Sequence, residues 1–455
     1  MNKTIEFFYE ISKIPRESGN EENIAKYLCE FAKKRNLFYR KDQYNNVIIK
    51  KKNNNSNPII LQAHMDMVCE KDDNIEFNFK EDSIEVVEEK GYLKAKGTTL
   101  GADNGIGIAQ ILNILDSNLS ANVEAVFTVS EETSMIGADK IDLSILEGKQ
   151  LINLDGFEKN TIIIESASFF DIILTSNYIF KHANEKDFYK INLKGLSGGH
   201  SGFDINKNRG NSSQLLAELL KDLEEIELQN FIGGTKFNVI PSSAEAIFAS
   251  KEKLESIQEK INNFIKEKRK KYTNLKIELE KIKPKDTTIL DKKESKNFIK
   301  SLLEFRHGIF YTNDRNEVTS SINLGVINLK EQTIKIGMRS SKKEEELKVL
   351  NYIKKYANSN KFKFTIIGSQ PGFETKDTAN LLTKLVKTHN KINNEKLNIK
   401  SLHITVEAGF FENKIPELEV AIISPEILNA HTTNECVSIE SVKECDRWLE
   451  EILNN

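Results

Sequence analysis

Apolar residues recur at helical spacing over 4–14 and 21–36, and Pro15-Arg16-Glu17-Ser18-Gly19 between them reads as a turn. Short apolar runs then predict strands at 46–51 and 58–63, followed by a hairpin over 83–96. A helix is expected from Ile106 to Leu115, with apolar positions at Ile108, Ile111, Leu112 and Leu115. A strand at 123–129, a helix over 139–146 and a strand at 150–154 continue the alternation. Strands alternating with helices predict an α/β fold built on a mostly parallel sheet.

The pattern changes after about residue 168. Strands near 170–178 and 187–195, a helix over 212–226 and a strand pair over 234–250 precede a charged helix over 251–272. That helix carries Leu254, Ile257, Ile261 and Ile265 as its apolar stripe. Strand, helix, strand, strand and helix recur from 274 to 358, so the insertion reads as two similar α+β units side by side. A helix over 376–390, strands over 401–407 and 418–423 and a helix over 440–453 resume the first pattern. The expected division is a sheet domain in two parts, 1–168 and 373–455, interrupted by an α+β domain at 169–372.

At 455 residues the chain exceeds one ordinary core, which fits more than one domain. Basic and acidic residues number 65 and 68, a net charge of −3, which argues against a nucleic-acid binder. Cys29, Cys69, Cys436 and Cys445 are scattered without metal-site or disulfide-framework spacing, as expected of free thiols in a reducing compartment. The charged N-terminus does not read as a signal peptide, and no run approaches the ~18 apolar residues needed to cross a membrane. A cytoplasmic chain with no membrane partner is the expectation.

Candidate chemistry sits at the ends of the apolar runs. His64 and Asp66 close 58–66, Asp103 lies in the glycine-rich stretch 97–107, and Glu131-Glu132 follow 123–130. Asp155 follows Leu151-Ile152-Asn153-Leu154, and His431 comes soon after Val420-Ala421-Ile422-Ile423. In an open α/β sheet, residues just past strand carboxyl ends converge on one crevice. Two imidazoles and several carboxylates without a thiol suit two divalent ions, zinc first, with manganese or cobalt as alternatives. His64 and Asp66, two apart, point the same way, so the carboxylate can buttress the imidazole. Gly101, Gly105 and Gly107 are expected to free the backbone around Asp103. Adjacent Glu131 and Glu132 repel unless cations or a shared proton offset them; one suits a metal, the other a proton. Singly, each of these has an ordinary alternative, such as a surface pair, an Asp-Asn-Gly turn or a solvated loop. Their joint placement favours one site. Two such cations would be bridged by Asp103.

These residues carry a resemblance. Ala63-His64-Met65-Asp66-Met67-Val68, the stretch from Gly97 to Gly107, Ser130-Glu131-Glu132, Leu151 to Asp155 and Ala430-His431 resemble the aminoacyl-histidine dipeptidases (peptidase D, Xaa-His or carnosinase type). Those enzymes belong to the co-catalytic zinc peptidases related to carboxypeptidase G2 and aminoacylase. Gly198-Gly199-His200-Ser201-Gly202, Asn238-Val239-Ile240-Pro241 and Met338-Arg339-Ser340-Ser341 extend the likeness into the insertion.

The resemblance implies that His64, Asp103 and Asp155 hold one zinc, and Asp103, Glu132 and His431 the other. It implies Glu131 as general base and then acid, Asp66 behind His64, and a cis Asp103–Asn104 peptide. His200 would stabilise an oxyanion from the insertion, acting as a lid, while Asn238 and Arg339 would bind the backbone or terminal carboxylate of a dipeptide. One departure stands out: the family's His-Ala-Gly-Leu-Glu is set against Glu407-Ala408-Gly409-Phe410-Phe411, so that a His and a Glu look missing or displaced. The alternatives are an aminoacylase- or tripeptidase-type amide hydrolase, or a non-catalytic interaction protein keeping the fold. Either a monomer or a homodimer is compatible with the sequence.

Overall fold

Strand Ile59–His64 is buried along its whole length, the mark of a strand covered on both faces. It lies between Val123–Thr128 and Gln150–Asn153, parallel to both, and Glu419–Ile422 runs parallel to Gln150–Asn153. The computed structural model describes residues 2–53, 57–183, 187–284, 286–376, 378–393 and 395–454. Its eight-stranded sheet has the order Phe38–Lys41, Val47–Lys51, Val123–Thr128, Ile59–His64, Gln150–Asn153, Glu419–Ile422, Thr161–Ser166, Asn398–Leu402. The four adjacent parallel strands place their carboxyl ends along one side of the sheet. Helices Lys3–Ile11, Glu22–Lys34, Ala102–Asp116, Asn380–Ile392 and Ile439–Asn454 pack their apolar faces into the core that includes this sheet. Trp448 ties the last helix to Asn380–Ile392 by donating from Nε1 to Leu385 O (3.2 Å) and Thr388 Oγ1 (3.1 Å).

The chain divides into two compact units. The first comprises Met1–Ser166, Phe373–Leu402 and Val406–Asn455, and the second Ala167–Gly372 with His403–Thr405. The second unit is an antiparallel nine-stranded sheet with its own apolar core. The two α+β sets merge in this one sheet, whose halves meet where Glu227–Gly233 pairs with Val318–Asn328, and they exchange strands: Ser168–Thr175 pairs with Thr333–Ser340 and Lys363–Gln370, and Lys276–Ile282 with Asp187–Lys194. Helix Lys292–Glu304 packs on Ser212–Lys221 and Glu227–Gly233, and Lys343–Ser359 on Val318–Asn328, Thr333–Ser340 and Lys363–Gln370.

Several elements differ from the expected ones. The helix at 139–146 is Ile136–Lys140; Ile141 turns extended, and Asp142 Oδ1 accepts from Ser144 N (2.9 Å) in a side-chain-closed turn. Ile141 and Leu143 are still buried, and with Ile145 and Leu146, four and three positions on, they produced the helical periodicity. The helix at 212–226 stops at Lys221, and strand Glu227–Gly233 begins where it was expected to end. The strand pair at 234–250 is a short Val239–Ile240 and Ala244–Ser250. The strand at 401–407 is Asn398–Leu402, and Glu407 precedes helix Ala408–Lys414. The helix expected from 376 is Asn380–Ile392, and residue 377 lies outside the described residues.

Candidate metal centre

His64 ends its strand fully buried, with Nε2 2.9 Å from Asp103 Oδ1 and 3.6 Å from Asp155 Oδ1. The other Asp103 oxygen, Oδ2, lies 3.0 Å from His431 Nε2, which is itself 3.0 Å from Glu132 Oε1. One carboxylate therefore faces two imidazoles, each with a further carboxylate beside it. Asp103 reaches this position at the start of helix Ala102–Asp116, where Asp103 and Asn104 depart from helical geometry and the peptide between them is cis. Only Gly101 of the three nearby glycines has a left-handed backbone (φ 69°). Gly105 and Gly107 supply room instead of flexibility. A side chain at Gly105 would meet Arg16 Nη2 at 2.6 Å, and one at Gly107 would overlap the Asn104 side chain.

Asp66 does more than buttress His64. His64 Nδ1 is 3.4 Å from Asp66 Oδ1 and 3.1 Å from its carbonyl. The same carboxylate accepts from Glu131 N (3.0 Å), Glu132 N (3.2 Å) and Ser18 Oγ (2.7 Å). It thus fixes the Glu131-Glu132 backbone against the strand that carries His64. Ser130, just before the pair, is left-handed (φ 55°), an uncommon conformation for a residue with a side chain, and its N–H donates to Glu21 Oε1 (3.0 Å). Ligand-type atoms of His64, Glu131 and Asp155 lie within 4.8 Å of one another, as do those of His64, Asp103 and Glu132.

Electrostatics show what the pocket demands. Burial disfavours charge on Asp103, but hydrogen bonds from His431 and His64 outweigh it and hold the carboxyl well below its usual range. Burial, with Asp155 and Glu132 nearby, pushes the Glu131 carboxyl well above its ordinary value. Asp155 is raised to about 6, first by burial and then by Asp103. Bonds to Asp103 and Glu132 lift His431 to about 11. Negative charge is crowded into a buried pocket, and the imidazoles are drawn to positive charge. That environment, with an all-N/O donor set, fits divalent cations.

The remaining predicted residues lie in the second unit. His200, on the short strand Gly199–His200, accepts from Gly202 N at Nδ1 (3.2 Å). Burial, then Arg339, lowers its pKa to about 4. The ring is therefore neutral, with Nδ1 toward the Gly202 N–H and Nε2 3.4 Å from Arg339 Nη2. Arg339 is buried, stacked on Phe169 (4.4 Å), with Nε 3.4 Å from Ser201 Oγ and Nη1 3.3 Å from Thr405 Oγ1. Asn238 is half-buried, and its carbonyl accepts from Ser201 N (2.8 Å), so these three residues share the Ser201 loop.

The apparent motif departure is a matter of register. His403-Ile404-Thr405-Val406-Glu407 carries a His and a Glu at the same spacing as His-Ala-Gly-Leu-Glu, four residues before Glu407-Ala408-Gly409-Phe410-Phe411. Glu407 is fully buried in the first unit, where Oε2 accepts from Thr128 Oγ1 (2.5 Å) and Gln62 Nε2 (2.8 Å). Burial lifts its carboxyl to about 8. His403, in the second unit, has Nε2 2.7 Å from Ser321 Oγ. The His-x-x-x-Glu spacing was the signal that finds both. Ser18 and Glu21 carried no comparable signal.

Comparison with known proteins agrees with this geometry. The model of peptidase family M20/M25/M40 matches residues 60–455. The cytosol non-specific dipeptidase of Escherichia coli (strain K12) is 32% identical over 475 residues, covering 98% of this chain and 96% of that protein. The structure of aminoacylhistidine dipeptidase from Vibrio alginolyticus superposes with a TM-score of 0.87 at 28% identity, covering 99% of this chain and 96% of that one. A dinuclear metal-binding M20 peptidase from Bacillus subtilis, 12% identical with a TM-score of 0.50 over 99% and 96% of the two chains, shares the fold. With the matched segment spanning His64, Asp103, Glu131, Glu132, Asp155 and His431 and the second unit as well, the chain belongs to peptidase family M20/M25/M40.

Proposed function

We propose that this chain is a metal-dependent dipeptidase acting on unblocked dipeptides, aminoacyl-histidine dipeptides among them. The observation that carries the reading is the position of Asp103 between His64 and His431, with Glu131 beside them. The names of the Escherichia coli and Vibrio alginolyticus relatives supply the substrate class and, for the first, a cytosolic location. His64, Asp103 and Asp155 would hold one ion and Asp103, Glu132 and His431 the other, zinc being the first candidate and manganese or cobalt the alternatives. When bound, such ions polarise a scissile carbonyl and lower the pKa of water.

The chain's own residues do the rest. Glu131 takes the proton of the attacking water and returns it to the leaving amine, a task suited to a carboxyl whose pKa is raised by burial. Asp66 keeps Glu131 and His64 in register through its bonds to both. His200 offers its neutral ring to the tetrahedral oxyanion, and Arg339, set among hydroxyls, an aromatic face and the His200 ring, takes the terminal carboxylate. Asn238 holds the substrate backbone beside them.

The test is hydrolysis of a panel of free, N-acylated and C-amidated dipeptides and of tripeptides, with and without a chelator. Free dipeptides are expected to be cleaved fastest, and activity to vanish with chelator and return with added zinc, manganese or cobalt. Preference for N-acylated amino acids or tripeptides would replace this reading with that of an aminoacylase or tripeptidase. Chelator-insensitive turnover would remove the metals from it.

A further inference from the structure

The glycine-rich turn that presents Asp103 is gripped from two sides by buried charged groups that are not among the proposed ligands. On one side the guanidinium of Arg16, 2% exposed, donates from Nη1 to the carbonyls of Met65 and Asp66 (3.1 Å each) and from Nη2 to that of Gly101. It therefore ties the end of the His64 strand to the Asp103 turn. On the other side Glu435, 3% exposed, accepts from Leu100 N (2.8 Å) and Gly101 N (2.9 Å) at Oε2 and from Asp103 N (3.2 Å) at Oε1. Gly101 thus has its N–H held by an anion and its carbonyl by a cation.

Two points argue that this is more than filling backbone valences. Burying a full charge is costly unless it is hydrogen-bonded throughout, and neutral side chains can satisfy carbonyls and N–H groups at lower cost. Glu435 also stands four residues after His431 on the same loop, so its bonds couple the placement of His431 to that of Asp103. Gly105 lacks the side chain that would strike Arg16 Nη2 at 2.6 Å, so the turn is shaped around the guanidinium. Arg16 itself comes from the N-terminal segment, outside the residues that match the family model.

We infer that Arg16 and Glu435 are positioning residues that assemble the metal centre before metal binds, Arg16 joining the His64 and Asp103 segments and Glu435 joining those of Asp103 and His431. The inference rests on the proposed reading that these residues hold the metals. Groups that orient ligands without touching metal typically account for 10–100-fold in affinity.

The experiment measures zinc affinity and stoichiometry by chelator competition on the full chain, together with thermal unfolding of the metal-free protein, for the parent, Glu435→Gln and Arg16→Lys. Gln keeps the shape but presents an amide N–H₂ where one backbone N–H now finds an acceptor, and Lys keeps the charge without the fork. Each variant is expected to bind at least one zinc equivalent 10–100-fold more weakly than the parent, beyond any change in metal-free stability. If either fails to fold, Glu435→Asp and Arg16→Gln are measured the same way. Variants that melt earlier but bind two equivalents with parental affinity would show a merely structural role and overturn the inference. A parent that binds no zinc, manganese or cobalt would instead overturn the metal-site reading, and this inference with it.

Discussion

Glu131 and Glu132 are neighbours in sequence with different surroundings. Glu132 Oε1 faces His431, whereas Glu131 groups with His64 and Asp155, where burial keeps its carboxyl drawn to a proton. Glu131→Gln is therefore expected to keep metal content at the parental level while kcat falls by at least ~10²–10⁴-fold, the usual contribution of a positioned base. Elemental analysis alongside dipeptide kinetics decides it, and a variant with most of its turnover intact removes Glu131 from proton transfer. Asp103→Ala should have the opposite signature. Both of its oxygens face imidazoles, so its loss is expected to empty both metal positions; two ions retained per chain after gel filtration would sink the bridging role. At this scale the sequence was informative about residues at strand ends and silent about those that support them. Glu435 and Leu100 are 335 positions apart, and nothing local in either segment announces their bond. Arg16 looked like part of a turn, because a buried guanidinium and a solvated one have the same sequence.

At the scale of elements, the parallel strands were legible because burial on both faces leaves a continuous apolar run, as in Ile59–His64 and Val123–Thr128. Elements whose apolar residues are buried in turns were not. The pairs Ile141/Ile145 and Leu143/Leu146 keep helical spacing without a helix, and strand Glu227–Gly233 follows a helix so closely that its start was absorbed into it. The glycines of helix Ala102–Asp116 show the same limit. Gly105 suggested flexibility, yet what it provides is space for Arg16 Nη2 and Phe8. Gly105→Ala would ordinarily favour a helix by about 1 kcal/mol. Here the added methyl must displace a buried guanidinium, an overpacking that typically costs about 1–3 kcal/mol. The expected net result is a lower unfolding midpoint for metal-free protein by calorimetry. A raised midpoint would mean that Arg16 moves aside freely, contrary to the tight turn described above.

For the whole molecule, the informative fact is the division of labour between units. Every proposed metal ligand belongs to the first unit, whereas His200, Asn238, Arg339 and His403 belong to the second. Four such groups, gathered around the Ser201 loop and Ser321, stand outside the proposed metal set. If substrate is the element that needs both sets, removing a group from the second unit should leave the metals in place and change only what substrate experiences. His200→Ala is expected to lower kcat by roughly 10²–10³-fold, the usual loss for one oxyanion donor, because that contact matters most when charge develops. Metal content should not change. Arg339→Ala should instead act mainly on KM, and it should penalise free dipeptides far more than C-amidated analogues, which lack the carboxylate a guanidinium pairs with. If both variants hydrolysed dipeptides as the parent does, these second-unit residues would have no part in the reaction and catalysis would belong to the first unit alone.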